Sequence, residues 1–132
     1  MIKVAGHRIG AWEVESVLVG HEDISEATVV AFPHQIKGEG MYAFITVAPG
    51  REKSDELREE LIRFLQLHIG APAVPDVIQW AEALPKTRGG KILRRLLQKI
   101  AAGNIDDLGD TSTVANPEVI ERLIRDRMGI RG

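Results

Sequence analysis

The chain has 132 residues, a formal charge of −2 and a pI near 6.1, with 44% hydrophobic and 27% charged residues. That balance describes one ordinary soluble domain with a single modest core, and it excludes a strong overall pull toward nucleic acid or anionic membrane. Cysteine is absent, which excludes a disulfide framework, a thiolate metal site and a thiol nucleophile.

In chain order, residues 1–5 are short and β-permissive, and Gly6-His7-Arg8-Ile9-Gly10 reads as a tight glycine-bounded turn. The expected signature of a signal peptide, a basic then apolar run, is missing from residues 1–10, and no stretch approaches the roughly 18 apolar residues that span a bilayer. A cytoplasmic protein without membrane partner is expected. From residue 11 to 21, Val14, Val17, Leu18 and His21 recur at helical spacing while Glu13, Glu15 and Ser16 face elsewhere, which predicts a short amphipathic helix. Residues 27–32 are a β-branched run ended by Pro33, and residues 41–47 are a second strand. The proline, glycines and polar residues of 33–40 predict an antiparallel hairpin with a long loop.

Ser54 is expected to cap a helix whose first turn carries Asp55 and Glu56, favourable at the positive end of the helix dipole. Leu57, Leu61, Phe64 and Leu65 form its apolar face, and Gly70 sits where a terminating glycine belongs. Residues 77–80 read as a short strand. Lys91 is expected to open a helix striped by Ile92, Leu93, Leu96, Leu97 and Ile100 and stopped near Gly103. Residues 104–115 are polar and expected to be poorly structured. Asn116-Pro117-Glu118 then announces a last helix, with Asn as N-cap, Pro at the first helical position, and Val119, Ile120, Leu123 and Ile124 as its buried stripe. Strands and helices mixed at short spacing give an α+β domain: a small sheet with an antiparallel hairpin, packed with helices. The organisation read here is one domain over 1–132, with a core at 1–103 and a polar segment plus terminal helix at 104–132.

Two stretches carry chemistry. Leu84-Pro85-Lys86-Thr87-Arg88-Gly89-Gly90-Lys91 places three cations within six residues on a proline- and glycine-rich, positively charged tip. A lysine ammonium near a helix N-terminus favours anions, although composition alone favours a solvated basic loop leading into a helix. A Walker-type phosphate loop is excluded, because Pro85 stands where glycine is needed and Ile92 where Ser or Thr is needed. In Gly6–Gly10, the Arg8 guanidinium between two glycines suits a phosphate or carboxylate, and pairing with Glu13 or Glu15 is the competing explanation. The four histidines, His7, His21, His34 and His68, have no HExxH spacing, no G-x-S-x-G occurs, and aromatics are only 5% of the chain. These absences argue against a catalytic zinc, a serine nucleophile elbow and a single-strand-binding surface.

Taken together, the Gly6–Gly10 stretch followed by Glu13 and Glu15, and the 84–91 stretch, resemble two signature motifs of the adenylate-forming enzymes: acyl-CoA synthetases, nonribosomal adenylation domains and luciferases. Their order and separation resemble the small C-terminal domain of that family, and the resemblance runs from Met1 almost to the end. Ile36-Lys37-Gly38-Glu39 before Tyr42-Ala43-Phe44, and Leu108-Gly109-Asp110-Thr111-Ser112-Thr113, are similar to AMP-forming acetyl-CoA synthetases in particular.

The resemblance implies a two-step ligase reaction in which Mg-ATP and a carboxylate give acyl-adenylate and pyrophosphate, and CoA then displaces AMP. It implies a large N-terminal adenylation domain as partner, against which the small domain rotates between steps. Lys91 matches the adenylation lysine, Arg8 an ATP-phosphate contact, Gly6 and Ala5 the CoA side, and Val19, His21 and Ile24 a cation site. It also implies that Lys91 is a target for a lysine acetyltransferase and deacetylase, since acylation would remove its charge. Departures are Ala5 where the family often has serine, and Gln66 where a basic residue meets the CoA phosphates. Lys86 and Lys99 are expected to be exposed cations of little consequence, and the fragment alone is expected to be inactive. The competing function is a stand-alone interaction module or a substrate of a protein lysine acetyltransferase.

Overall fold

The structure is a computed structural model that describes residues 2–4, 7–34, 38–109 and 111–127. The elements run β1 (Ile2–Val4), β2 (His7–Ile9), α1 (Ala11–Val19), β3 (Ile24–His34), β4 (Gly38–Val47), α2 (Asp55–His68), a 3-10 turn (Ala71–Ala73), β5 (Val77–Trp80), α3 (Arg94–Ala102) and α4 (Glu118–Arg125). The sheet order is β2-β1-β4-β3, with β5 lying parallel beside β4.

The expected hairpin is present and longer than its apolar runs suggest. β3 and β4 pair from Ile24↔Val47 to His34↔Gly38, so most of the expected loop over 33–40 is strand, and only residues 35–37 lie between the two. Pro33 is tolerated because β3 is an edge strand, where a missing N–H breaks no ladder. The turn expected over residues 6–10 is also revised: His7–Ile9 is a strand paired with β1, Val4 standing opposite His7. Residues 5 and 6 lie between these strands and outside the described residues.

Successive side chains of a strand point to opposite faces, and here both faces are covered. On one face Ala27, Val29, Met41, Ala43, Ile45 and Ile78 meet Val14 and Leu18 of α1 and Leu57, Leu61 and Leu65 of α2. On the other, Val30, Phe32, Tyr42 and Phe44 meet Leu96, Leu97 and Ile100 of α3, together with Val114 and with Ile120 and Leu123 of α4. The central strand β4 is therefore an unbroken apolar run, Met41 through Ile45 all buried.

Helix ends follow local chemistry. Ser54 Oγ accepts the Leu57 amide at 3.0 Å, as expected of its cap position. Gly103, at φ 83°, closes α3 with amides of Gly103 and Asn104 returning to Ile100 and Lys99. α3 starts at Arg94, however, three residues after Lys91, because the 84–93 segment is spent on a hairpin. α4 starts at Glu118 behind Pro117, without a side-chain cap. The Asn116 amide is engaged elsewhere.

Candidate functional site

Lys91 sits on the returning strand of a tight hairpin. Thr87 N donates to Lys91 O at 2.9 Å, Gly90 N donates to Thr87 O at 2.9 Å, and Leu93 N donates to Pro85 O at 3.0 Å. The three residues between Thr87 and Lys91 thus form a turn followed by a glycine bulge, and Gly90 holds φ 89°, the left-handed conformation such a turn requires. Thr87 Oγ1 accepts the Lys91 amide at 3.1 Å, fixing the backbone from which the ammonium projects. Lys91 and Arg88 are exposed. Lys86 differs from the expectation of an inconsequential cation: it is half-buried, and its Nζ lies 2.7 Å from Glu26 Oε2 on β3. The tip carries three cations in sequence, but one is neutralised by that pairing.

The polar segment after α3 is not free of this hairpin. Thr87 bridges Val114, and Ala115 N donates to Lys86 O at 2.8 Å. Asn116 Oδ1 accepts the Lys86 amide at 3.0 Å, and its Nδ2 donates to Leu84 O at 3.0 Å. The expected cap residue is instead a clasp that closes both polar groups of the hairpin's base. Composition concealed this, since Asn before Pro-Glu reads as a helix start.

The second expected motif lies across the sheet. Arg8 is in β2, at the opposite edge from β3, to which Lys86 ties the Lys91 hairpin. Ala5 and Gly6 lie outside the described residues, and so does the Arg8 side chain. Glu15, a proposed partner of Arg8, is taken by Arg94 and by the Val29 amide, which its Oε2 accepts at 2.7 Å. Gln66 is exposed on α2.

The third expected site gathers where α1 ends. Val19 is the last residue of α1, Ile24 opens β3, and His21 O accepts the Ile24 amide at 3.1 Å. His21 is buried; its Nδ1 accepts the Asp23 amide at 3.1 Å and its Nε2 is 2.5 Å from Glu60 Oε2. Ligand atoms of His21, Asp23 and Glu60 lie within 4.8 Å of one another. Asp23 Oδ1 is buried without a hydrogen bond; Arg51 Nε, 3.1 Å away, is not aligned to donate to it. A buried carboxylate oxygen that has an ion-pair partner but no hydrogen bond, beside a second carboxylate, suits a hard divalent cation once Arg51 moves aside. Sequence spacing missed Asp23 and Glu60, because Glu60 arrives from α2.

Among the described residues no helix is long and apolar enough to cross a membrane. The profile of the family described as AMP-binding enzyme C-terminal domain matches residues 13–91. Acetyl-coenzyme A synthetase of Syntrophobacter fumaroxidans is 55% identical over 130 residues, covering 98% of this chain and 20% of its own length. That of Alkalilimnicola ehrlichii is 57% identical over 127 residues, covering 96% and 20%. The chain therefore spans about one fifth of these relatives. Among solved structures, an acyl-CoA synthetase of Brucella canis superposes with TM-score 0.70 at 42% identity, over 74% of this chain and 18% of that one. An amide bond synthetase of Marinactinospora thermotolerans superposes with TM-score 0.68 at 28% identity, over 74% and 19%.

Proposed function

The chain belongs to the family of AMP-binding enzyme C-terminal domains, and from that premise we propose that it is the C-terminal lid of an AMP-forming acetate–CoA ligase. The reaction is ATP + acetate + CoA → acetyl-CoA + AMP + diphosphate. An acetate oxygen attacks the α-phosphorus and pyrophosphate leaves; the CoA thiol then attacks the acetyl carbonyl and AMP leaves. The reading is supported by relatives carrying the acetyl-coenzyme A synthetase name at 55% and 57% identity over nearly the whole chain.

The observation that carries the mechanism is the setting of Lys91: an exposed residue on a hairpin whose backbone is held by Thr87 and Pro85. A fixed cation of this kind stabilises negative charge that develops on the carboxylate and phosphate oxygens as they react. Arg8 on the opposite sheet edge contacts phosphate, and Gly6 with Ala5 admits the CoA arm when the lid turns its other face to the site. The large N-terminal domain supplies the adenine and acyl pockets, so this lid over 1–132, a core at 1–103 with a polar segment and terminal helix at 104–132, is inactive alone. The enzyme works in the cytoplasm.

Magnesium accompanies ATP in the full-length enzyme. A second cation would be held by the carboxylates of Asp23 and Glu60 and by backbone carbonyls at Val19, His21 and Ile24, since both ring nitrogens of His21 are already bonded, and would supply positive charge at the α1–β3 corner. The exposure of Lys91 also fits the second reading, a substrate of an acetyltransferase and deacetylase, and the two are compatible: acetylation neutralises the ammonium that adenylation uses. ATP–pyrophosphate exchange by the full-length ligase carrying Lys91→Ala tests the assignment.

A further inference from the structure

We propose that Asn116 is a positioning residue for the adenylation lysine, and that the segment from Val114 to Asn116 is a third strand of the Lys91 hairpin. This rests on the reading of Lys91 given above. The family profile stops at Lys91, yet the structure does not stop using chain there. Asn116 bonds the Lys86 amide and the Leu84 carbonyl at 3.0 Å each, Ala115 N reaches Lys86 O at 2.8 Å, and Thr87 bridges Val114.

These contacts fall on the outgoing strand of the hairpin, the strand whose Thr87 then fixes Lys91 through its backbone and its Oγ1. A two-stranded hairpin of this size has little stability of its own. Its anchors are the Asn116 clasp, the Lys86–Glu26 ion pair and burial of Leu84. The clasp is in turn pinned from behind. Val114, Ile120 and Leu123 are buried, and Gln79 Nε2 donates to Leu123 O at 3.1 Å while its Oε1 accepts from Tyr42. A chain of bonded groups thus runs from the central strand through α4 to the hairpin. Loosening it moves the ammonium without touching a substrate contact, and a displacement of about 1 Å at a reacting group costs up to about 100-fold in rate.

The test uses the full-length ligase with Asn116→Ala and, independently, Ala115→Pro, which deletes the amide that bonds Lys86 O. Both should lower kcat for acetyl-adenylate formation by about 10- to 100-fold, with KM for ATP and acetate held within about twofold. CoA attack on supplied acetyl-adenylate should stay within about twofold, and hydrogen exchange of the 84–92 peptide should accelerate. Unchanged adenylation, or equal loss of both half-reactions, overturns the proposal. Lys91→Ala run in parallel separates the two ideas. If it leaves adenylation intact, the functional reading itself fails; if it abolishes adenylation while both tail variants are neutral, only the positioning role fails.

Discussion

Arg94 Nη1 donates to Glu15 Oε2 at 2.6 Å and Arg94 Nη2 donates to Glu15 Oε1, a two-pronged pair between residues 79 apart in sequence. Because Glu15 Oε2 also accepts the Val29 amide, the helix that follows β2 and the helix that follows the Lys91 hairpin are bonded to each other and to β3. Glu15 is thus the joint at which α1, α3 and the edge strand β3 meet.

Replacing Glu15 by Ala strands the buried Val29 amide and removes the partner of Arg94. We expect a loss of about 1–3 kcal/mol in urea unfolding, against less than about 0.5 kcal/mol for the exposed Glu22→Ala. The hydrogen bond to Glu15 holds the Arg94 guanidinium above its ordinary value, against the opposing effect of burial. A raised pKa stabilises below the unfolded value and is lost as pH rises through the folded one. For arginine that window lies beyond working alkaline pH, so this contribution should be constant from neutral to mildly alkaline buffer.

Gly90 and Gly89 should separate cleanly. A Cβ at Gly90 meets no atom within 4 Å, but its φ of 89° is strained for any L side chain; Gly89 carries no such strain and its Cβ would lie 3.9 Å from Thr87 Oγ1. Gly90→Ala should cost about 1–2 kcal/mol and slow adenylation, while Gly89→Ala should be near neutral in melts and in pyrophosphate exchange.

The sheet hairpin, the Ser54 cap, β5 and the apolar stripes of the four helices were legible because each depends on neighbours in sequence. What escaped notice depends on pairing at a distance. Glu15 looked solvent-facing by helical spacing, yet it is buried because Arg94 arrives to meet it. Lys91 looked like a helix start because Ile92 and Leu93 continue the apolar stripe, but the bonds from Thr87 and Pro85 hold them in a hairpin. Asn116 has cap chemistry and uses the same amide on another partner.

The isolated chain should fold. Its core buries residues from every layer, so circular dichroism should show mixed structure and one cooperative melt. A flat, non-cooperative signal would contradict this. In hydrogen exchange, the Lys86, Asn104 and Ala115 amides should be protected, whereas residues 105, 106, 108 and 109 should exchange ahead of them.

The folded fragment should form no acetyl-CoA from acetate, ATP and CoA. The chain is about one fifth of its relatives' length. Turnover by a preparation free of other ligases would overturn the domain assignment.

The most direct measurement is of the two half-reactions of the full-length ligase carrying Lys91→Ala. Acetate-dependent ATP–pyrophosphate exchange should fall by about 10²–10³, the usual loss of a transition-state donor, while thioester formation from supplied acetyl-adenylate stays within a few-fold of the parent. Lys99→Ala should leave both unchanged. Equal slowing of both half-reactions by Lys91→Ala, or an equal effect from Lys99→Ala, would show a generic basic surface and contradict the assignment of Lys91 to adenylation.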